Sequence, residues 1–267
     1  MSALTLELRT EPGQRLDLSP LTPAALAGMK PKGIEAIAIG TVRETLTVGD
    51  VFRLKGNEAA KLHFAGTNDT CDFIGQGLSQ GEIVVDGDAG AYLGSKMRAG
   101  IISVSGSAGA LAGASMRGGR IDIARDAGEK AGGVAVGEAH GMRGGRLLIG
   151  GKAGALLGEK MRRGLIIGRG GAGDYAGARM IAGTILLRGR IGRWAGYGLR
   201  RGSLIVHKQP KDLLPTFGDC GVLEFTWLRL LDKELKATDG RFRLGSRARR
   251  LVGDMAVLGK GEMLILA

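Results

Sequence analysis

The chain has 267 residues, 49 of them glycine, and only 4 % are aromatic. A hydrophobic content of 44 % excludes a disordered chain, and six prolines without a glycine at every third position exclude collagen. The net charge of +12 is uneven, since residues 71–208 carry 20 basic and 10 acidic side chains and residues 1–70 carry eight of each. The positive field therefore belongs to the middle of the chain, where it attracts nucleic acid, anionic ligands or acidic proteins.

The first residues lack the basic start and long apolar run of a signal peptide, and no stretch reaches 18 apolar residues. Two cysteines, Cys71 and Cys220, are too few for a disulfide framework and cannot alone hold a metal. We therefore expect a cytoplasmic protein with no metal site and no membrane partner.

Residues 1–61 are predicted to form an N-terminal capping segment, because the open end of a repeat protein needs a cover. Short strands are expected over Leu4–Leu8, Ile34–Ile39 and Val51–Leu54. A helix is expected near Thr22–Met29, with Thr22 as its N-cap and Pro23 at its first position.

Residues 62–208 repeat a pattern of about 19 residues that is marked by glycines. The first glycine of each unit is Gly75, Gly94, Gly113, Gly137, Gly158, Gly177 or Gly196, and the second is Gly81, Gly100, Gly119, Gly145, Gly164, Gly183 or Gly202. Between Gly119 and Gly145 the spacing grows from 19 to 26 residues, so one unit carries an insertion, which includes His140. A weaker first unit places Phe64 where Ile83 stands in the next.

An aliphatic residue always stands two positions after the second glycine: Ile83, Ile102, Ile121, Leu147, Ile166, Ile185 and Leu204. The alternation that follows is typical of a strand with one buried face. One strand per unit, always in the same direction, requires parallel pairing between units. We therefore predict an all-β fold, a right-handed parallel β-helix with small α+β terminal caps, in which like residues stack vertically and glycines form the corners. A leucine-rich repeat would need a recurring Asn and more Leu.

The position between the two buried strand residues points outward: Val84, Ser103, Asp122, Leu148, Ile167, Leu186 and Ile205. The last four are aliphatic and need a cover. The C-terminal cap, residues 209–267, is predicted to contain a helix over Leu223–Ala237 and a strand over Glu262–Leu266. We expect that helix to be the cover, and a partner protein is the alternative.

An arginine column precedes the second glycines: Arg98, Arg117, Arg143, Arg162 and Arg200. Its members are either solvated side chains that cover apolar surface or an electropositive strip for a polyanion or an acidic partner. The G-x-G-x-x-G run from Gly168 to Gly173 consists of repeat glycines and opens no helix, so it does not predict a dinucleotide site. No Ser/His/Asp set or carboxylate pair appears, and no catalytic residue is predicted.

The unit Gly-x-x-Met-Arg-x-Gly-x-Ile-x-Val from Gly94 onward resembles the C subunits of the formylmethanofuran dehydrogenase family. So does the ending Val252-Gly253-Asp254-Met255 with Gly259-Lys260-Gly261-Glu262. The superfamily includes the C-terminal coil domain of the glutamate synthase large chain. The Ala- and Arg-rich composition favours the bacterial version, the formyltransferase/hydrolase complex.

This resemblance implies a non-catalytic scaffold beside hydrolase and formyltransferase sister subunits. The complex would move a formyl group from formyl-tetrahydromethanopterin through a methanofuran-type carrier to formate, in formaldehyde oxidation. No cofactor is expected on this chain alone, and the arginine column would hold the carrier's acidic glutamyl tail or an acidic face of a sister subunit. The alternatives are the C subunit of a redox formylmethanofuran dehydrogenase and a glutamate-synthase-like coil. Nucleic-acid binding is disfavoured, since the coil has few aromatics to stack bases.

Overall fold

The computed structural model describes residues 3–42, 45–238 and 243–266. In chain order the elements are β1 (Ala3–Leu8), β2 (Leu16–Asp17), α1 (Pro23–Leu26), α2 (Pro31–Glu35), α3 (Val48–Val51), β3 (Phe52–Lys55), β4 (Glu58–Thr67), β5 (Cys71–Asp72), β6 (Glu82–Gly87), β7 (Ile101–Val104), β8 (Arg120–Ile123), β9 (Arg143–Ile149), β10 (Arg163–Gly168), β11 (Thr184–Leu187), β12 (Arg201–Val206), β13 (Gly218–Glu224), α4 (Thr226–Thr238), β14 (Arg247–Gly253) and β15 (Lys260–Leu266).

One large sheet dominates the molecule, with the strand order β13-β14-β15-β12-β11-β10-β9-β8-β7-β6-β4-β1-β3. Every pair from β4 to β12 is parallel and joins successive repeat units, so that Ile83 pairs with Ile102 and Ile102 pairs with Ile121. A second, thinner ladder of single parallel bridges links Ala89, Ala108 and Ala127 in successive coils. The predicted solenoid of mostly β structure is therefore confirmed, and its interior is a continuous stack of buried aliphatic side chains.

The first glycine column lies against this stack. A Cβ on Gly94, whose φ is +58°, would stand 2.5 Å from Cδ1 of Ile121 in the next coil. The assignment of Gly137 to this column is wrong, since it is exposed and an added Cβ would meet nothing within 4 Å. Gly132 holds the position, with a φ of +66° and Cδ1 of Ile166 at 2.5 Å from its added Cβ. The insertion follows Gly132, which spacing alone did not reveal.

The N-terminal segment follows the prediction in part. Thr22 caps α1 by accepting a hydrogen bond from the N–H of Ala25 at 3.3 Å, but the helix ends already at Leu26. The strand expected over Ile34–Ile39 is wrong, because Pro31 opens the helix α2 there. The strand expected from Val51 begins one residue later, after α3.

The first coil is shifted by two residues from the predicted alignment. Leu62, and not Phe64, pairs with Ile83, while Phe64 pairs with Val85. The coil is therefore 21 residues long at this point, and an alignment with a constant period of 19 misses it. β1 adds in parallel beyond β4, and the short β3 closes this end antiparallel to β1.

The C-terminal segment rejoins the solenoid, although the repeat glycines end before it. β15 pairs in parallel with β12, which places Gly261 beside Gly202 and Met263 beside Leu204. The helix predicted from Leu223 begins at Thr226, because residues 218–224 form β13. As predicted, this helix covers the aliphatic outer column: Leu228 and Leu235 belong to one buried cluster with Leu148, Ile167, Leu186 and Ile205.

Aspartates tie neighbouring coils together. The Oδ1 atoms of Asp72, Asp88, Asp126 and Asp174 each accept a backbone N–H of the following coil at 2.6 or 2.7 Å. In each case a glycine precedes that N–H, and any Cβ added to it would overlap the carboxylate: Gly90, Gly106, Gly151 and Gly192. These four aspartates therefore hold neighbouring coils together by hydrogen bonds.

Candidate functional surface

The predicted arginines form a column at the corner before each strand. Each backbone N–H donates to a carbonyl of the preceding coil, as in Arg117 to Met97 at 2.7 Å and Arg162 to Met142 at 2.8 Å. The methionine or leucine just before each arginine points inward and is buried, so the arginine points outward. Arg98, Arg117, Arg162 and Arg200 are exposed, and in the described part of the chain none of these four makes an ion pair within 4.0 Å.

The fifth member, Arg143, already holds a carboxylate. Its Nη2 lies 3.1 Å from Oε2 of Glu138, and the Nζ of Lys96 lies 3.6 Å from the other oxygen of the same group. Glu138 comes from the insertion, which brings an acidic side chain back across the earlier coils. The sequence analysis missed Lys96 and Glu138, although an acidic residue in the insertion beside a basic column was a usable signal.

The insertion is fixed by hydrogen bonds rather than left free. The Ser115 hydroxyl donates to the carbonyl of His140 at 2.8 Å and accepts from the N–H of Ala135 at 3.0 Å. The N–H of Gly141 donates to the carbonyl of Lys160 at 3.0 Å. The Nδ1 atom of His140 is buried and has no hydrogen-bond partner among the residues that the structure describes. His140 is therefore half-buried, and its backbone supports the insertion.

The uncovered part of the outer sheet face forms an open groove of about 580 Å³, which sequence reasoning did not single out. Its floor contains His63, Val84, Ser103 and Asp122, which occupy the outward position of successive strands. Asp122 is paired with Arg120 at 2.8 Å. The groove therefore has a floor of mixed apolar and polar side chains, in which the carboxylate of Asp122 already has a partner.

The two cysteines lie in different environments. Cys71 is buried in the core, and burial raises the pKa of its thiol, which keeps it protonated. Cys220 is exposed on β13. Within the described ranges no three His, Cys, Asp or Glu side chains gather as a metal site would require, and no described helix is long and apolar enough to cross a membrane.

Stacked coils with glycine corners, an aliphatic interior and a basic outer column define a β-class repeat solenoid. No protein-family model matches the chain. A stretch of 86 residues is 44 % identical to the C subunit of the formyltransferase/hydrolase complex Fhc of Methylorubrum extorquens strain AM1, and it spans 32 % of this chain and 32 % of that relative.

The whole fold matches a chain in the crystal structure of the formyltransferase/hydrolase complex (FhcABCD) from Methylorubrum extorquens in complex with methylofuran. The TM-score is 0.91 and the identity 43 %, over 98 % of this chain and 99 % of that chain. The chain belongs to the family of the C subunits of formyltransferase/hydrolase complexes, which confirms the resemblance seen in the sequence.

Proposed function

We propose that this chain is a non-catalytic scaffold subunit of a cytoplasmic formyltransferase/hydrolase complex. It would be a right-handed parallel β-helix over residues 62–208, with capping segments over residues 1–61 and 209–267. The complex would pass a formyl group from formyl-tetrahydromethanopterin through a methanofuran-type carrier to formate, with the reactions on sister subunits. The observation that carries this proposal is the match in fold and sequence to a chain of such a complex along nearly the whole length.

The use of the polar groups supports a scaffold role. The coil interior is filled by aliphatic side chains. The aspartates at the corners are used in ties between coils, and Ser115 and Glu138 fix the insertion. The partners of these polar side chains belong to the chain itself, which is what a structural role requires.

The arginine column would bind the acidic tail of the carrier or an acidic face of a sister subunit. Four of its five members are exposed without an ion pair among the described residues, and the fifth binds a carboxylate. If the arginine side chains extend in parallel, neighbouring guanidinium groups are about 4.8 Å apart and repel one another by about 3–4 kcal/mol at an effective dielectric of 20. A bound polyanion would offset that repulsion.

The test is co-expression of the chain with the other subunits of its own complex, one of which carries the affinity tag. We expect a stable complex with formyl-transfer activity, and loss of co-purification of the sister subunits when this chain is omitted. In the variant Arg117→Glu, Arg143→Glu, Arg162→Glu, retention of the carrier or of a sister subunit should fall at least tenfold. The matched control reverses three exposed arginines outside the column, Arg125, Arg188 and Arg190. Unchanged assembly and carrier retention in the first variant would end the proposal for the column.

A further inference from the structure

Three aromatic side chains gather at one corner of the last two coils. Tyr175 stacks on Trp194 with 4.9 Å between ring centroids, and Tyr197 meets Tyr175 edge-on at 5.9 Å. We call these three residues the aromatic patch. It holds three of the five Tyr and Trp residues of the chain, and it is open to solvent: Trp194 is 38 % exposed and Tyr197 is 49 % exposed.

The backbone at this repeat position is left-handed in the other coils too, at a cost that any side chain there meets: Phe73, Tyr92, Leu111, Lys130 and Leu156. Tyr175 and Trp194 have φ values of +61° and +55°, in the left-handed region that favours glycine. Gly196 and Gly198, in the same turn, adopt this conformation without strain. Stacking between the two rings offsets part of the cost, but the outward half of Trp194 gains nothing from it in the isolated chain. Half-exposed, stacked aromatics are typical of residues that contact another molecule.

The stretch of chain that carries the aromatic patch is strongly basic. Residues 173–208 carry seven basic side chains and one acidic side chain, Asp174, whose Oδ1 is engaged by the N–H of Arg193. The Arg193 guanidinium lies 5.9 Å from the Trp194 ring centroid, and its side chain is 66 % exposed although Asp212 stands at 3.9 Å. The Arg179 side chain, which pairs with Glu159 at 3.2 Å, is still 53 % exposed.

The same side of the solenoid already binds one carboxylate from another part of the chain. Lys96, Lys160 and Arg179 occupy one repeat position, since each donates its N–H to the following coil at the equivalent place. At Lys96 the carboxylate comes from Glu138 of the insertion. One irregular segment of this chain therefore already places a carboxylate on this side of the solenoid, several coils from the aromatic patch.

We propose that the aromatic patch is the anchor point for an acidic segment of a sister subunit. An apolar side chain of that segment would cover Trp194 and Tyr197, and its carboxylates would face Arg179 and Arg193. The aromatic side chains give the contact its affinity, and the basic rim selects an acidic partner. This inference rests on the proposed function, because the partner belongs to the same complex.

Hydroxyl-radical footprinting with mass spectrometry tests the contact in the native complex. The rates of oxidation of Trp194 and Tyr197 are compared between the isolated chain and the chain assembled with its sister subunits. We expect both rates to fall at least fivefold in the complex. Rates in the isolated chain that fall with its own concentration would show a second copy on the patch and would overturn the acidic partner.

Substitution supplies an independent measurement. Trp194→Gly with Tyr197→Ala removes the anchor and relieves strain at residue 194, so folding is preserved, which circular dichroism checks. We expect less than a tenth of the chain to remain with a tagged sister subunit after a wash with moderate salt. The matched control is Tyr92→Gly, at the same repeat position with φ +62° and stacked on Phe73 at 4.8 Å. It should retain at least two thirds.

Failure of the proposed function and failure of the anchor give different results. A native chain that does not co-purify with the sister subunits would overturn the proposed function and, with it, the partner named here. A complex that forms while Trp194 is oxidised as fast as in the isolated chain would overturn only the anchor. So would equal losses for the Tyr92 control and the double substitution, since that result would reflect a general weakening of the corner.

Discussion

The outer face of the large sheet has two halves that share a backbone but differ in side chains. Leu148, Ile167, Leu186 and Ile205 lie under α4 and are at most 8 % exposed. Val84, Ser103 and Asp122 occupy the same position on the earlier strands and floor an open groove. The outward column stays paired across the change, since Asp122 pairs with Leu148 and Leu148 with Ile167.

The inner columns of the two halves are alike, since Ile83 and Ile185 are both fully buried. The interior therefore defines the coil, and a single outward position per coil defines where a second layer sits. The outward column changes from polar to aliphatic between Asp122 and Leu148. The helix α4, which is far away in sequence, packs on the aliphatic part of that column.

The largest expected effect separates the covered half from the open one. Leu186→Ala leaves a cavity beneath α4 and should lower the free energy of unfolding by about 3 kcal/mol. Val84→Ala, at the same position in the open half, should cost less than about 1 kcal/mol. Urea unfolding of the two variants measures the difference. Equal losses would mean that α4 does not protect the outer column in solution.

A second prediction concerns the boundary between the halves, where the insertion leaves the coil after Gly132 while the interior stack continues from Ile121 to Leu147. Gly132→Ala forces a Cβ toward Ile166 and should cost about 3 kcal/mol, from overpacking and a left-handed backbone. Gly137→Ala, also at positive φ but with nothing within 4 Å, should cost about 1 kcal/mol. Thermal and urea unfolding together compare them. A larger loss at Gly137 would mean that Gly137 is the corner glycine, as the regular spacing predicts, and would contradict the structure.

The smallest effect lies at the edge of the cover. Arg146 of β9 pairs with Glu234 of α4, across 88 residues of sequence. The Glu234 side chain is 59 % exposed, so Arg146→Ala should cost only about 0.5 kcal/mol. The loss should shrink further in about 1 M salt, which screens the pair. A cost above about 2 kcal/mol in urea unfolding would show that the ion pair, and not the leucines, holds the helix in place.

Sequence reasoning succeeded where a periodic pattern carries the physics. The buried positions from Ile83 to Leu204 repeat because each must fill the same layer of the interior, and the register follows from them. It failed where the period breaks. Gly137 imitates a corner glycine by spacing alone, and the return of Lys260–Leu266 to the ladder depends on contacts far apart along the chain.

The candidate surface was predictable to a smaller extent. The arginine column follows from the repeat, because a fixed position in each coil points the same way. The contact of Glu138 with Lys96 depends on the path of an irregular insertion, which no period describes. The aromatic patch was missed because Tyr197 lies in a different repeat column from Tyr175 and Trp194, and only the folded turn joins them.

The aspartate ties make the coils at four junctions non-interchangeable with the others. An aspartate such as Asp126 fixes a glycine, Gly151, in the next coil, because any larger residue would overlap its carboxylate. A coil copied or transplanted by protein engineering therefore carries half of a matched pair, and the other half must come from its new neighbour. Where the solenoid is lengthened at one of these four junctions, both members of the pair must therefore be added together.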